Sequence, residues 1–212
     1  GGNPSIGLLA SPGDIKIRIM AEGSRPSEAQ SLIEGMEAQI RGRLGVLIYG
    51  VDEETLEGSV TKLLEKMNLT LSTAELYTGG LIAQRLSGAK SAQFIQGVVL
   101  NTEETTRFFL GIGMGEFSKL KREEGEFVLC LAGKARERCR SDLGLSVSGF
   151  SEKGSSKEGE EIKAHIYVGM ASKGMRKWVD HQLGGTKEML RERAAILSLD
   201  ALRKELLNMG KS

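Results

Sequence analysis

Strand-like and helix-like hydrophobic periods alternate along most of this chain, and that alternation points to an α/β fold. Asp14 to Met20 reads Asp-Ile-Lys-Ile-Arg-Ile-Met, which sets Ile15, Ile17 and Ile19 on one face of a half-buried strand. After Pro26, a helical stripe runs through Ala29, Leu32, Ile33, Met36 and Ile40, with Gly42 and Gly45 as stops. Val46 to Tyr49 reads as a short strand. Asp52 then serves as N-cap to a helix with Glu53 and Glu54 in its first turn and Leu56, Val60, Leu63, Leu64 and Met67 on one face, closed by Asn68. The pattern divides the chain into 1–51, a small α+β module, and 52–212, a larger domain. In the latter a strand from Leu69 to Glu75 passes through Thr78-Gly79-Gly80 into a helix, Leu81 to Leu86. A strand within Ala92 to Leu100 follows, then helices over Glu103 to Leu110 and Phe127 to Arg140, the latter with Phe127, Leu131, Ala135 and Cys139 inward. Leu143 to Ser148 is a buried strand. Alternation at Ala164, Ile166, Val168 and Met170, a turn at Ser172-Lys173-Gly174 and a return from Met175 to Leu183 make a hairpin. A helix from Thr186 to Leu207 ends at Gly210. The expected architecture is an α+β amino-terminal module, then a mixed sheet covered by helices on both faces.

Charge excludes some functions. Twenty-nine basic and 28 acidic side chains leave a formal charge of +1, so no net field gathers nucleic acid or anionic lipid. Gly42-Arg43-Leu44-Gly45 matches the G-x-x-G of an RNA-binding loop, yet it closes a helix, and the run Lys134, Arg136, Arg138, Arg140 spirals around its helix as a solvated surface does. Nucleic acid is not an expected partner. No apolar run approaches the ~20 residues of a membrane-spanning helix and the start lacks a signal peptide, so the expected location is the cytoplasm. The opening Gly1-Gly2-Asn3-Pro4 reads as linker, with the chain beginning partway through a longer protein. Cys130 and Cys139 read as free thiols. His165 and His181 lack clustered partners, so no metal and no cofactor is expected, and Trp178 reads as a packing residue.

The turn after Glu75 is the chemically loaded place. Small side chains at Thr78, Gly79 and Gly80 let backbone N–H groups at a helix start approach an anion such as phosphate. On spacing alone, a tight strand-to-helix connection is the commoner use of such glycines. Gly149, ending another interior strand, comes to the same edge if the two strands are parallel. Ser151 to Glu161 has no apolar side chain and reads as a mobile loop bordering that crevice.

The segment Ala74-Glu75-Leu76-Tyr77-Thr78-Gly79-Gly80, with Leu81-Ile82-Ala83-Gln84-Arg85-Leu86 after it, resembles the CinA-family signature Ala-Glu-Ser-Cys-Thr-Gly-Gly and its helix. The likeness continues through Gly97-Val98-Val99, Leu110-Gly111-Ile112, Ala135-Arg136-Glu137-Arg138, Asp142-Leu143, Ser148-Gly149 and Gly185-Thr186-Lys187 with Arg191. Upstream, Ile6-Gly7, Pro12-Gly13, Arg43-Leu44-Gly45 and Asp52-Glu53-Glu54-Thr55-Leu56 are similar to the KH-like module that precedes this domain in the family.

The resemblance implies a nicotinamide-nucleotide amidase scaffold, in which active members use a serine to attack the carboxamide of nicotinamide mononucleotide and a lysine as base, releasing ammonia. Here the serine position is Leu76, the neighbouring cysteine is Tyr77, and the tyrosine and lysine positions are Asn101 and Thr106. A leucine carries no nucleophile and a threonine cannot stand in for an amine base, so the resemblance implies a degenerate catalytic site. What it leaves as ligand-binding positions are Thr78, Gly79, Gly80, Gly97, Ser148, Gly149, Lys187 and Arg191, with a nucleotide or phosphate as ligand and a homo-oligomer as assembly. The alternative is a working amidase with Thr78 or Tyr77 as relocated nucleophile and Lys90 or Lys153 as base.

Overall fold

The computed structural model describes residues 2–11, 13–151 and 161–210. The chain divides into two compact units, Gly1–Glu54 and Thr55–Ser212. In the first, β1 (Ser5–Ser11) and β2 (Asp14–Met20) form an antiparallel hairpin whose register sets Ile6 opposite Ile19, Leu8 opposite Ile17 and Ala10 opposite Ile15. Helix α1 (Pro26–Leu44) places Pro26 at its first turn, where a missing N–H costs nothing. It runs through Gly42 and stops only at Gly45, whose φ of 52° is open to glycine. The short strand expected over Val46 to Tyr49 is instead a single 3-10 turn, Gly45–Leu47, because among the described residues no strand pairs with it. Asp52 is likewise not an N-cap. It sits in a turn with φ of 51°, and Thr55 caps the next helix by accepting from the Gly58 N–H. No described residue of this unit is buried.

The second unit is built on a five-stranded sheet of order β4-β3-β5-β6-β7. Strand β3 (Leu71–Glu75) lies parallel to β4 (Phe94–Val99) and to β5 (Leu143–Ser151), and β6 (Ile162–Ala171) and β7 (Arg176–Gly185) continue it antiparallel. Helices cover both faces. On one face lies α6 (Glu124–Cys139), held so close that a Cβ on Gly144 would meet the Ala132 carbonyl oxygen at 1.9 Å and one on Gly169 the Val128 oxygen at 2.5 Å. The other face carries α2 (Leu56–Met67), α3 (Leu81–Gly88) and α7 (Lys187–Met209), which pack on one another. Gly97 permits the approach of α3, since its Cβ would come within 2.4 Å of the Ala83 Cβ.

Two short helices follow β4. Helix α4 (Glu103–Leu110) begins with a reciprocal cap between Thr102 and Thr105, and α5 (Met114–Leu120) places buried Phe117 edge-on to Phe127 at 6.0 Å. Helix α5 and strand β1 have no counterpart among the elements expected from the sequence, and α6 begins at Glu124, three residues before Phe127. Residues 152–160 of the expected mobile loop lie outside the described residues.

Candidate functional site

Because β3 and β5 are adjacent and parallel, their carboxy-terminal ends emerge together, with the Leu76 N–H donating to the Val147 oxygen at 3.0 Å. Glu75, the last residue of β3, is fully buried. Its carboxylate accepts from Thr78 Oγ1 at 2.6 Å and from the backbone N–H groups of Gly80 at 3.1 Å, Ile82 at 3.1 Å and Ala83 at 2.8 Å. The free donors at the start of α3, read from sequence as an anion site, therefore already hold an anion supplied by the chain. Gly79 and Gly80 make the turn possible with φ of 64° and 101°. Thr78 is buried, and its hydroxyl is spent on Glu75.

Leu76 sits beside this cap and turns to the opposite side. It packs against the cluster that contains Leu100, Phe109, Leu110, Phe117 and Phe127. Asn101 is exposed after β4, and Thr106 is buried on α4, where its hydroxyl donates to the Thr102 oxygen at 2.7 Å, an ordinary helical back-bond. The three positions matching serine, tyrosine and lysine thus hold an apolar packing group, a solvated amide and a satisfied hydroxyl.

Tyr77 faces the α7 side. Burial pushes its phenol above the usual range, against the opposing pull of a hydrogen bond with Ser151 and the charge of Arg191, so near neutrality it carries its proton. A Cβ on Gly149 would touch the Tyr77 ring at 2.9 Å and the His165 carbonyl oxygen at 2.7 Å, which explains the glycine by packing alone. Lys90 follows the far end of α3, roughly 12 Å of helix away from Thr78. Lys153 lies outside the described residues.

The register of β5, β6 and β7 assembles an aromatic row that the sequence reading did not foresee. Phe150 stacks on His165 at 5.1 Å with an interplanar angle of 9°, Tyr167 lies 6.3 Å from Phe150, and Trp178 lies 6.2 Å from Tyr167. Trp178 also closes over Gly125 at the start of α6. Burial, with the charges of Glu124 and Asp180, raises the Tyr167 phenol as well. Buried Ser148 stands opposite Tyr167, two residues before Phe150 on the same face of the sheet. Lys187 and Arg191 are exposed on the first turns of α7, which starts from a Thr186 cap at the same edge of the sheet. The aromatic row lies on the face covered by α6, where Ser146 Oγ donates to the Val128 oxygen at 2.6 Å, whereas Lys187 and Arg191 stand on the α7 side, where the charge of Arg191 acts on Tyr77. Among the described residues no group of His, Cys, Asp and Glu could hold a metal ion.

A family described as the CinA C-terminal domain matches residues 53–206, and one described as the damage-inducible protein CinA KH domain matches residues 1–50. A putative competence-damage inducible protein of Alkaliphilus oremlandii is 35% identical over 208 residues, covering 97% of this chain and 50% of its own length. A CinA-like protein of Kosmotoga olearia is 34% identical over 207 residues with the same coverage, so the chain spans about half the length of the curated relatives it matches. Among solved structures, a CinA superfamily protein from Klebsiella pneumoniae shares the fold with a TM-score of 0.63 at 20% identity, over 72% of this chain and 96% of that one. A competence/damage inducible protein from Agrobacterium tumefaciens does so with a TM-score of 0.54 at 20% identity, over 76% and 99%.

Proposed function

The chain belongs to the CinA family, and from that premise we propose that its larger unit is a catalytically silent amidase-like domain retained to bind a nucleotide and to self-associate. The observation that carries the reading is Leu76. At the position where active relatives present an alcohol, this chain sets a partly buried aliphatic side chain against its core cluster. Acyl transfer needs a nucleophile, a base in reach and donors for the oxyanion, arranged together. Neither candidate replacement supplies the first. The Thr78 hydroxyl is buried and bonded to Glu75, and the Tyr77 phenol keeps its proton. The α3 amides of Gly80, Ile82 and Ala83 are held by Glu75, so they do not serve an oxyanion either.

Binding chemistry remains. A nucleotide phosphate finds exposed Lys187 and Arg191 at the start of α7, on the side of the sheet that Tyr77 and Gly149 line. The test is ammonia release from nicotinamide mononucleotide at high protein concentration, alongside calorimetric titration with the same nucleotide. Binding without turnover is expected. Turnover that disappears on substituting Ser72, Thr73, Tyr77, Thr78 or Thr106 would overturn the reading.

A further inference from the structure

The outer side of α4 carries a cleft that neither the fold nor the proposed binding at α7 uses. Thr106, Phe109 and Leu110 are the buried residues of this helix, so Glu104, Arg107, Phe108 and Gly111 follow its outward side at the spacing of one helical face. With Ile112, and with Arg138 of α6, they line a cleft of about 540 Å³, a volume in the range of small-molecule sites. Phe108 is 79% exposed there, more than any other large apolar side chain among the described residues. We propose that this cleft binds a small organic oxyanion, a carboxylate or phosphate carried on a flat apolar body.

Two guanidiniums meet here against one carboxylate, Glu104, and among the described residues neither Arg107 nor Arg138 is ion-paired. Arg138 is held by neutral partners. Its Nη2 donates to the Phe108 oxygen at 3.3 Å and its Cζ stands 5.4 Å from the centroid of the Phe109 ring, contacts that set its plane without supplying a carboxylate. Arg107 holds its Nε buried with no hydrogen-bond partner. A buried donor left unmade costs free energy, which a turn of the side chain toward an acceptor in the cleft recovers. Arg136 has a buried Nε of the same kind, but its charge acts on Asp142, whereas that of Arg107 has no such acid. The carbonyls that end α4 already carry donors: the Gly111 and Ile112 N–H groups reach the Arg107 oxygen at 2.9 Å and 3.3 Å, and Arg138 takes that of Phe108. This mutes the negative end of the helix at the cleft. An oxyanion on a ring meets both halves of the lining, its oxygens at the guanidiniums and its flat face at Phe108 and Ile112.

Titration of the full chain with benzoate and with phenyl phosphate, followed by backbone amide resonances, tests it. Both probes are expected to bind in the millimolar range or tighter and to shift the amides of Gly111 and Ile112 most, with acetate and inorganic phosphate roughly tenfold weaker. The tighter of the two ring-bearing probes tells a carboxylate ligand from a phosphate one. Arg107→Met removes the charge and the unmade N–H together, and is expected to weaken both probes about tenfold while the thermal midpoint does not fall. Phe108→Ala is expected to bring phenyl phosphate down to the level of inorganic phosphate. Alanine at both Lys187 and Arg191 should leave the shifts at Gly111 and Ile112 as they are, so failure here and failure of nucleotide binding at α7 are told apart. Absence of those shifts at tens of millimolar probe overturns the site, as does binding indifferent to Arg107→Met. Ring-free anions that bind as tightly as ring-bearing ones overturn the ligand class.

Discussion

Two strand-to-helix turns open onto the same edge of the sheet, β3 into α3 and β7 into α7, and they treat the positive end of a helix in opposite ways. At α3 the chain buries its own carboxylate, Glu75, under three backbone N–H groups and a threonine hydroxyl. At α7 a neutral threonine, Thr186, caps the helix, and cations at Lys187 and Arg191 stand free in solvent. The first turn is closed to outside anions and holds the fold together; the second is open to them. A glycine-rich turn after a strand thus marks a ligand site only when nothing internal reaches its donors.

The sharpest way to break this contrast is to remove the internal anion. Glu75→Ala leaves the buried amide of Ile82, the partly buried amides of Gly80 and Ala83 and the Thr78 hydroxyl without an acceptor, and should cost on the order of 4 kcal/mol of stability in urea denaturation. Glu75→Gln keeps one acceptor oxygen and should cost about half as much. If Glu75→Ala unfolds no more readily than the unaltered protein, the cap is not what fastens β3 to α3. Phosphate that restores the alanine variant, while leaving the unaltered protein indifferent, would show that the two turns differ only in who supplies the charge.

Next in size is the restoration of the missing alcohol. Leu76→Ser removes an aliphatic side chain from contact with the Phe109 and Phe127 cluster, and should cost about 2 kcal/mol. No ammonia should appear from nicotinamide mononucleotide, because Thr106 supplies no base. Recovery of turnover by this one change would mean that the rest of the machinery survives, and that Leu76 alone silences it.

How legible all this was depended on whether a residue's role is set by its neighbours in sequence. Strand β2, helix α4 and the β6–β7 hairpin follow from local pattern, and they stand where Ile15 to Ile19, Glu103 to Leu110 and Ser172-Lys173-Gly174 place them. Strand β1 lacks alternation, and α5 is seven residues between two glycine-flanked turns, so neither announces itself. Val46 to Tyr49 has the composition of a strand, yet among the described residues no strand pairs with it, and pairing rather than propensity decides. The site was harder still. Glu75 reads as part of a motif, and its role as a cap depends on the turn folding back over it. The aromatic row depends on registers between three strands, with Phe150 and His165 brought together across a gap of 15 positions.

The open turn can be tested without touching the closed one. Replacing both Lys187 and Arg191 with alanine should weaken binding of nicotinamide mononucleotide roughly tenfold to a hundredfold, as expected for loss of two exposed charge contacts. Stability should stay within about 0.5 kcal/mol, since both side chains are solvated. Binding unchanged by this double variant, measured by calorimetry, would return the phosphate to some other part of the edge.

The smallest effect lies between the two turns, at Tyr77, which touches Gly149 on one side and feels Arg191 on the other. Burial raises its phenol above the usual tyrosine range, so the folded state favours the protonated form. The stability this contributes is fully present below the ordinary phenol value, and is lost as pH climbs through the raised one. The protein should therefore weaken in urea between neutral pH and strongly alkaline pH. Tyr77→Phe should flatten part of that decline, and not all of it, because Tyr167 is raised in the same direction. Arg191→Ala removes a charge that favours the phenolate, and should push the Tyr77 titration, followed by ultraviolet absorbance, further upward. An unchanged titration in that variant would separate Arg191 from Tyr77 and leave the open turn with cations that answer to solvent alone.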